Sequence, residues 1–431
     1  MTKIFLLPGI SCLLVWLTVS CQSSEKPVSM DIPSATLYVP TRAITQGPPH
    51  HWFGYYDKLE FDPTARYVLT AQVDFEGRSP EPNDSIRVGY VDLEAEDRWT
   101  ELGTSVAWGW QQGCMLQFIP GSDSKVIWND RVGDQFVSHI HDIHTGARKT
   151  LPFPIYTLSP DGRTALSVDF ERINDLRRGY GYGGIPDPNR EELAPEDAGI
   201  YLCDLEEGTK KLIISIAQMN QFELRKTDDA VFQDFYTEKN WFNHLLFNTD
   251  GTRFVFLHRW KTPSVPNKGF GTLMYSSDLA GKDIRLVDGS GYTSHFIWRD
   301  PEHLMMWTKQ GDKEAFYLFK DDGSDKGVIE GEDIMIRNGH NTYLPGNEWI
   351  LNDTYPDEHR MQHVYLYHIP SKQRIPIGDF YLDPAYTGEW RTDTHPRTSP
   401  DGTTVVIDCP IGDTGRQLVL MDIRDILASH N

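Results

Sequence analysis

The chain is poor in cysteine and in cationic side chains, and each shortage closes off a class of function. Of its 431 residues only five are Cys. Cys12 and Cys21 fall in an N-terminal leader, which leaves Cys114, Cys203 and Cys409. An odd, sparse set is no disulfide framework, and Cys203 and Cys409 sit in apolar runs where buried thiols belong. Lys and Arg total 41 against 62 Asp and Glu, a formal net charge of −21 at pH 7. Nucleic acid is thereby excluded as a partner, because phosphate backbones demand Lys/Arg stripes. Any acidic polymer would be repelled at long range and would have to be gripped by a local cationic patch. No nucleotide-binding Gly loop and no Gly-x-Ser-x-Gly elbow occurs. The apolar run at residues 4–19 is too short and too early for a spanning helix.

That run, preceded by Lys3, reads as a targeting segment over residues 1–21. It ends in Leu17-Thr18-Val19-Ser20-Cys21, a lipobox-like sequence, so Cys21 is expected to carry a lipid after cleavage. Residues 22–33 are polar and read as a tether. The expected location is the bacterial cell envelope, with the membrane touched only through this anchor.

What the chain has in abundance is a repeat. Seven times a polar turn, Ser-Pro-Asp-Gly or a relic of it, leads into an alternating apolar strand. The copies start at Phe61, Phe118, Leu158, Phe247, Trp298, Leu344 and Thr398. Repeats of roughly 40–50 residues with four strands each are the mark of β-propeller blades. The sequence therefore predicts an all-β, seven-bladed propeller of four-stranded antiparallel blades over residues 34–431, acting as a monomer. The last blade lacks a fourth strand, and the β-run at residues 35–40 is expected to supply it and close the ring. The 12 Trp, 19 Tyr and 20 Phe suit packing between blades and equally suit sugar-binding clefts. Two insertions, residues 174–198 and 218–239, fill a double-length gap between the third and fourth copies. The first, with Arg177, Arg178, Tyr180 and Tyr182, would suit a flap over an anionic sugar or equally a solvated linker.

Three constellations could carry chemistry. His244, His295, His340 and His395 each stand four residues before the turn in consecutive blades. That register puts them at the start of the innermost strand, ringing the central channel, where converging neutral imidazoles would bind Zn²⁺ or Mn²⁺. Hydrogen-bonded capping of neighbouring blades is the plainer use of the same residues. Tyr156 and Arg172 are expected at the two ends of a hairpin, where the cation would lower the phenol's pKa for acid–base work. His244 with His258 and Arg259 repeats that layout, and Gln111, Gln112 and Asn129 hold the equivalent places one blade earlier. Residues 50–58 pack His50, His51, Tyr55, Tyr56, Asp57 and Lys58 into one polar, aromatic segment that enters the first blade at the channel mouth.

The Ser-Pro-Asp-Gly blades, the inner-strand His and the Tyr–Arg spacing together resemble the seven-bladed propeller polysaccharide lyases. That group comprises oligogalacturonate lyases, ulvan lyases and enzymes of rhamnosyl-glucuronate linkages. The resemblance covers residues 35–426. It implies a lyase that cleaves a uronate-containing glycan by β-elimination. It matches His340 and His395 to metal-binding His, while a further His of the family reads as Arg397 and its Gln as Thr392. His244 or His295 would have to compensate. It also matches Tyr156 and Arg172 to a catalytic pair and makes His50 or His51 a catalytic candidate. In such a reaction a cation neutralises the uronate carboxylate, a base takes the C5 proton and the C4 oxygen leaves. Arg172, with Arg259 or a metal, is the expected cation, and His51 or Tyr156 the expected base and acid. Tyr56, Trp110, Gln111, Asn129, His258 and Arg259 are expected around the sugar. Two other readings remain. A hydrolase of the same linkages would need a carboxylate pair, for which Asp57, Asp353 and Asp408 are candidates. A TolB-like, non-catalytic glycan-binding propeller would need neither the His series nor a buried Arg.

Overall fold

A computed structural model describes residues 35–221, 234–265 and 269–430, with single positions 1, 32 and 232. The leader, Cys21 and nearly all of the tether lie outside the described residues. Among those described, no helix is long and apolar enough to cross a membrane.

Seven antiparallel sheets are present, six of four strands and one of five. Each blade begins with an inner strand, two or three residues long except in blade four, where it has eight. In blades one to seven these are His50–Trp52, Gln117–Phe118, Thr157–Leu158, Asn240–Phe247, Phe296–Trp298, Thr342–Tyr343 and Arg397–Thr398. The repeated turn explains the spacing. In blade three the Asp161 carboxylate accepts the Arg163 N–H at 3.1 Å, Gly162 N–H donates to Ser159 O at 2.9 Å, and Gly162 takes φ 68°. Blade seven repeats this with Asp401 and Gly402. In the first and sixth copies the left-handed position is held without glycine, by Ala65 at φ 59° and Asn347 at φ 59°, so the turn forms there on a less favoured residue. The second and third strands are buried on both faces, as in Val405 to Cys409. Their apolar side chains form seams between neighbouring blades, with Trp52, Trp110, Trp241 and Trp260 fully buried. Most of the aromatic abundance is therefore packing.

The expected edge strand is displaced by one step. Ala35–Leu37 pairs with Gln373–Tyr381 and adds a fifth strand to blade six. It is Thr41–Ala43 that pairs with Arg416–Asp422 and forms the outer strand of blade seven. Pro40 cannot donate to a ladder, and it separates the two short pairings. A buried triad ties the same blade to blade one. Arg397 donates to Glu60 at 2.6 Å and to Asp408 at 3.2 Å.

The first insertion is folded across the mouth. The chain enters it through α1, Phe170–Leu176, and Tyr182 stacks on Phe170 with centroids 4.2 Å apart. Gly181 passes so close to α1 that a Cβ there would sit 2.2 Å from Asn174 N.

Candidate active site

The inner strands deliver the four histidines to the channel mouth, and the backbone is strained to do it. His244 has φ 52°, at a bulge between Asn243 and Leu246, and His395 has φ 41°. Non-glycine residues in that region are uncommon and cluster at functional sites. Into their midst comes the loop that follows His50–Trp52. Gly54, at φ 123°, lies where a Cβ would meet the Gln112 backbone at 2.9 Å, and the chain then drives Tyr55 and Tyr56 to the centre. The Tyr55 ring lies 5.1 Å from both His244 and His395.

One wall of the mouth is built by blades five to seven. The ring centroids of His295 and His340 are 4.0 Å apart and those of His340 and His395 are 4.2 Å apart. Asp353 holds His340 through Nδ1 at 3.0 Å and accepts its backbone N–H at 2.6 Å. Burial lowers the His340 pKa, but the Asp353 charge and hydrogen bond outweigh it and leave the imidazole raised. His395 is pushed well below 6.5, chiefly by burial and then by the neighbouring His340. His340 Nε2, His395 Nε2 and Asp393 Oδ1 are buried and have no hydrogen-bond partner among the described residues. His340, Asp393 and His395 can bring ligand atoms within 4.8 Å of one another. Orphaned buried atoms require an explanation, and two nitrogens with a carboxylate oxygen, one imidazole oriented from behind by Asp353, suit a divalent cation. The expected metal set is corrected in two places. His295 is engaged by Asn338 at 3.0 Å and Tyr355 at 3.3 Å, and His244 faces Tyr55 and Tyr180. Asp393, next to Thr392, is the candidate ligand that the spacing missed.

Beside it opens a cleft of about 360 Å³, lined by Tyr55, by Arg177 and Tyr180 of the insertion, by His244 and Arg259 of blade four, and by His295, Glu314 and Tyr355 of blades five and six. Arg259, on Arg253–Lys261, is buried and donates through Nε to Thr272 at 3.2 Å, while its Nη1 has no partner among the described residues. Burial, then the charge of Arg177, brings its pKa down to about 9. Arg177 lies over the Tyr180 ring at 4.3 Å and the Phe270 ring at 4.1 Å, and its Nε is also unpartnered there. Arg391 donates to the Tyr180 hydroxyl at 3.2 Å. Burial raises the Tyr180 phenol, but Arg391 and Arg177 outweigh it and bring it down to about 7. A buried guanidinium with no counter-ion is costly, and an anionic ligand would relieve that cost.

Other expected residues fall elsewhere. Arg172 lies on α1, not at a hairpin end. Its guanidinium is consumed by Asp187 at 3.0 Å and by the carbonyls of Asn189, Glu192, Leu193 and Asn240. It clamps the insertion and does not face the cleft. Tyr156 is buried and fully bonded. It donates to Gln112 Oε1 at 2.9 Å and accepts the His244 N–H at 2.7 Å, and its pKa is raised, first by burial. His51 packs edge-on against Trp99 and lies 2.9 Å from Gln72, with its pKa lowered to about 4, chiefly by burial. His50 pairs with Glu76 at 3.2 Å. Both therefore belong to blade one and its rim. His258 sits among Phe235, Phe242 and Trp260. Trp110 donates to Arg78 O, Gln111 to Glu389 O and Asn129 to Ile155 O, all as structural bonds. Tyr56 is spent on the Phe296 backbone. Of the substrate-binding set, Arg259 alone lines the cleft.

No protein-family model matches the chain, and no curated protein matches it. Among solved structures it resembles oligogalacturonate lyase from Vibrio parahaemolyticus, with 12% identity over 93% of this chain and 100% of that one and a TM-score of 0.60. An oligogalacturonate lyase in complex with manganese gives 12% identity over 94% and 98% of the two chains and a TM-score of 0.63. TolB from Acinetobacter baumannii gives 15% identity over 83% and 80%, with a TM-score of 0.39. At these identities the likeness to the two lyases is one of fold.

Proposed function

We propose that this protein is a polysaccharide lyase that cleaves a uronate-containing glycan, of the ulvan or rhamnosyl-glucuronate kind, by β-elimination. The observation that carries the reading is the pair of half-buried Arg177 and buried Arg259, each with a buried, unspent guanidinium N–H, beside a Tyr180 phenol lowered to about 7. Elimination needs both parts. The C5 proton of a uronate is weakly acidic, so the carboxylate must be neutralised as charge develops. Arg259 and Arg177 supply that charge in a desolvated cleft. Tyr180, ionised near neutrality, takes the C5 proton. The local cationic patch also answers how a chain of net charge −21 could hold an acidic polymer.

His340, His395 and Asp393 would hold a divalent cation, Zn²⁺ or Mn²⁺, which when bound supplies further positive charge next to the cleft. A hydrolase would need two available carboxylates. The candidates are committed: Asp57 to Lys58 at 2.9 Å, Asp353 to His340 and Thr394, and Asp408 to Arg397 and the Phe53 N–H. We place the enzyme at the bacterial envelope as a monomer, anchored through Cys21. The test is a screen of purified protein on ulvan, pectin fragments, gum arabic and glucuronan. It is read by the ultraviolet absorbance of the conjugated double bond in the unsaturated product. Cleavage without that chromophore would mean hydrolysis, and binding without turnover would mean a glycan-binding propeller.

A further inference from the structure

The tyrosines at the mouth differ in what their hydroxyls are doing. Tyr56 donates to Phe296 O at 2.8 Å and accepts Phe296 N–H at 2.9 Å. Tyr156 is spent on Gln112 and on the His244 N–H. Tyr180 accepts from Arg391, and Tyr355 lies 3.3 Å from His295 Nε2. The Tyr55 hydroxyl forms no hydrogen bond among the described residues, yet its ring is fixed between His244, His395 and Tyr56, the last at 4.8 Å. Tyr55 lines the same cleft as Tyr180, Arg177 and Arg259. A phenol held rigidly by its ring, with its O–H unspent at a cleft, is a group built to give a proton to a ligand.

We propose that Tyr55 is the general acid of the site, delivering its hydroxyl proton to the C4 glycosidic oxygen as the C4–O bond breaks. The assignment rests on the β-elimination reading. The Tyr180 phenolate takes the C5 proton, and the C5–H electron pair becomes the C4–C5 double bond. The C4–O pair departs with the leaving sugar's oxygen, which takes the Tyr55 proton. Tyr180 then stands protonated and Tyr55 ionised, and one proton returns from the first to the second through water. Nothing is oxidised or reduced. The hydrogen bonds support the division of labour: the Tyr180 oxygen accepts from Arg391 at 3.2 Å, where a cation steadies a phenolate, while no hydrogen bond among the described residues holds the Tyr55 O–H. The neutral His244 ring lies between them, 5.1 Å from Tyr55 and 5.6 Å from Tyr180.

The test compares Tyr55→Phe with the wild type on a glycan that the wild type cleaves, and on a uronate whose C4 substituent is a readily departing phenol. Turnover of the glycan should fall by about 10²–10⁴. Turnover of the phenol ether should fall far less, and C5 hydrogen–deuterium exchange should persist. Tyr180→Phe should lose that exchange. A Tyr55→Phe variant that cleaves the glycan at the wild-type rate, or that loses both substrates equally, overturns the assignment. Replacing Tyr55 by a difluorotyrosine keeps the packing and guards against misfolding. It should move the alkaline limb of the pH profile to lower pH, and an unmoved limb overturns the assignment. A wild type that yields no unsaturated product from any uronate glycan overturns the elimination reading itself.

Discussion

The two walls of the mouth are made from the same repeat and carry opposite chemistry. Blades three and four present Arg177, Arg259 and a readily ionised Tyr180, whereas blades six and seven present Asp353, Asp393 and two histidines. Tyr55 stands between them, against His244 on one side and His395 on the other. The repeat sets where side chains emerge, since all four histidines occupy one register. What each wall binds is decided by the residues behind that register. Asp353 orients His340 through Nδ1, whereas among the described residues no carboxylate bonds Arg259. Arg391 joins the walls, with Nε on Asp393 at 2.9 Å and Nη2 on Tyr180.

The comparison breaks most directly at Arg259. Losing an oriented, charge-stabilising donor costs about 10²–10³ in turnover. Arg259→Ala should therefore be nearly inactive with an unchanged melting temperature, because a buried, uncompensated charge is removed and not created. Arg172→Met gives the contrast. It should lose stability, since it strips partners from Asp187 and four carbonyls, while whatever folds keeps its turnover. Equal activity losses would mean that the two arginines share one role.

Arg391 gives the next largest effect. With Tyr180 as the proposed base, kcat/KM should rise with pH through a limb near 7, set by the value to which the two arginines lower it. Arg391→Gln removes one of those cations, which raises the phenol and moves the limb to higher pH. Activity at neutral pH should fall and be recovered in alkali. A limb that stays in place would remove Tyr180 as the base.

On the opposite wall the readout is metal. Zn²⁺ or Mn²⁺ at a hundredfold excess over its Kd should stabilise the fold by about 2.7 kcal/mol, seen as a higher melting temperature that chelation reverses. His340→Ala should abolish that shift, and His244→Ala should leave it intact. Binding should also weaken below neutrality, because the cation must displace the proton that Asp353 helps His340 to hold. If all four histidines contribute equally, the walls are not distinct.

The blades were legible because the turn and the strand alternation recur in the chain, and so was the His register. The hairpin placing Arg172 opposite Tyr156 was not. It assumed that strand two of blade three continues to Arg172, but that strand is Thr164–Ser167 and the chain then turns into α1. Apolar Val168 and Phe170 read equally well as strand or helix. Arg177 and Tyr180 were visible as residues of a flap, but their partner Arg391 lies 211 positions from Tyr180, a distance no local pattern spans. Asp393 could have been found as the carboxylate nearest the His395 register. Tyr55 had a local signal too, since Gly54 precedes two aromatics in a segment too polar for a plain strand entry.

The smallest effect expected in this comparison belongs to Tyr156. It sits under the cationic wall with the same ring chemistry as Tyr180 but with no cation on its hydroxyl. Its O–H bonds Gln112, which approaches His244 Nδ1 at 3.4 Å, and it also accepts the His244 N–H. Tyr156→Phe leaves both of those buried partners unpaired, which costs about 1–3 kcal/mol of stability. The strained φ of His244 should relax, so turnover should fall by a few-fold only, with the limb near pH 7 unmoved. A loss as large as that of Tyr180→Phe, with that limb abolished, would show that the proton leaves through Tyr156 and that the working base lies one layer deeper than the cleft.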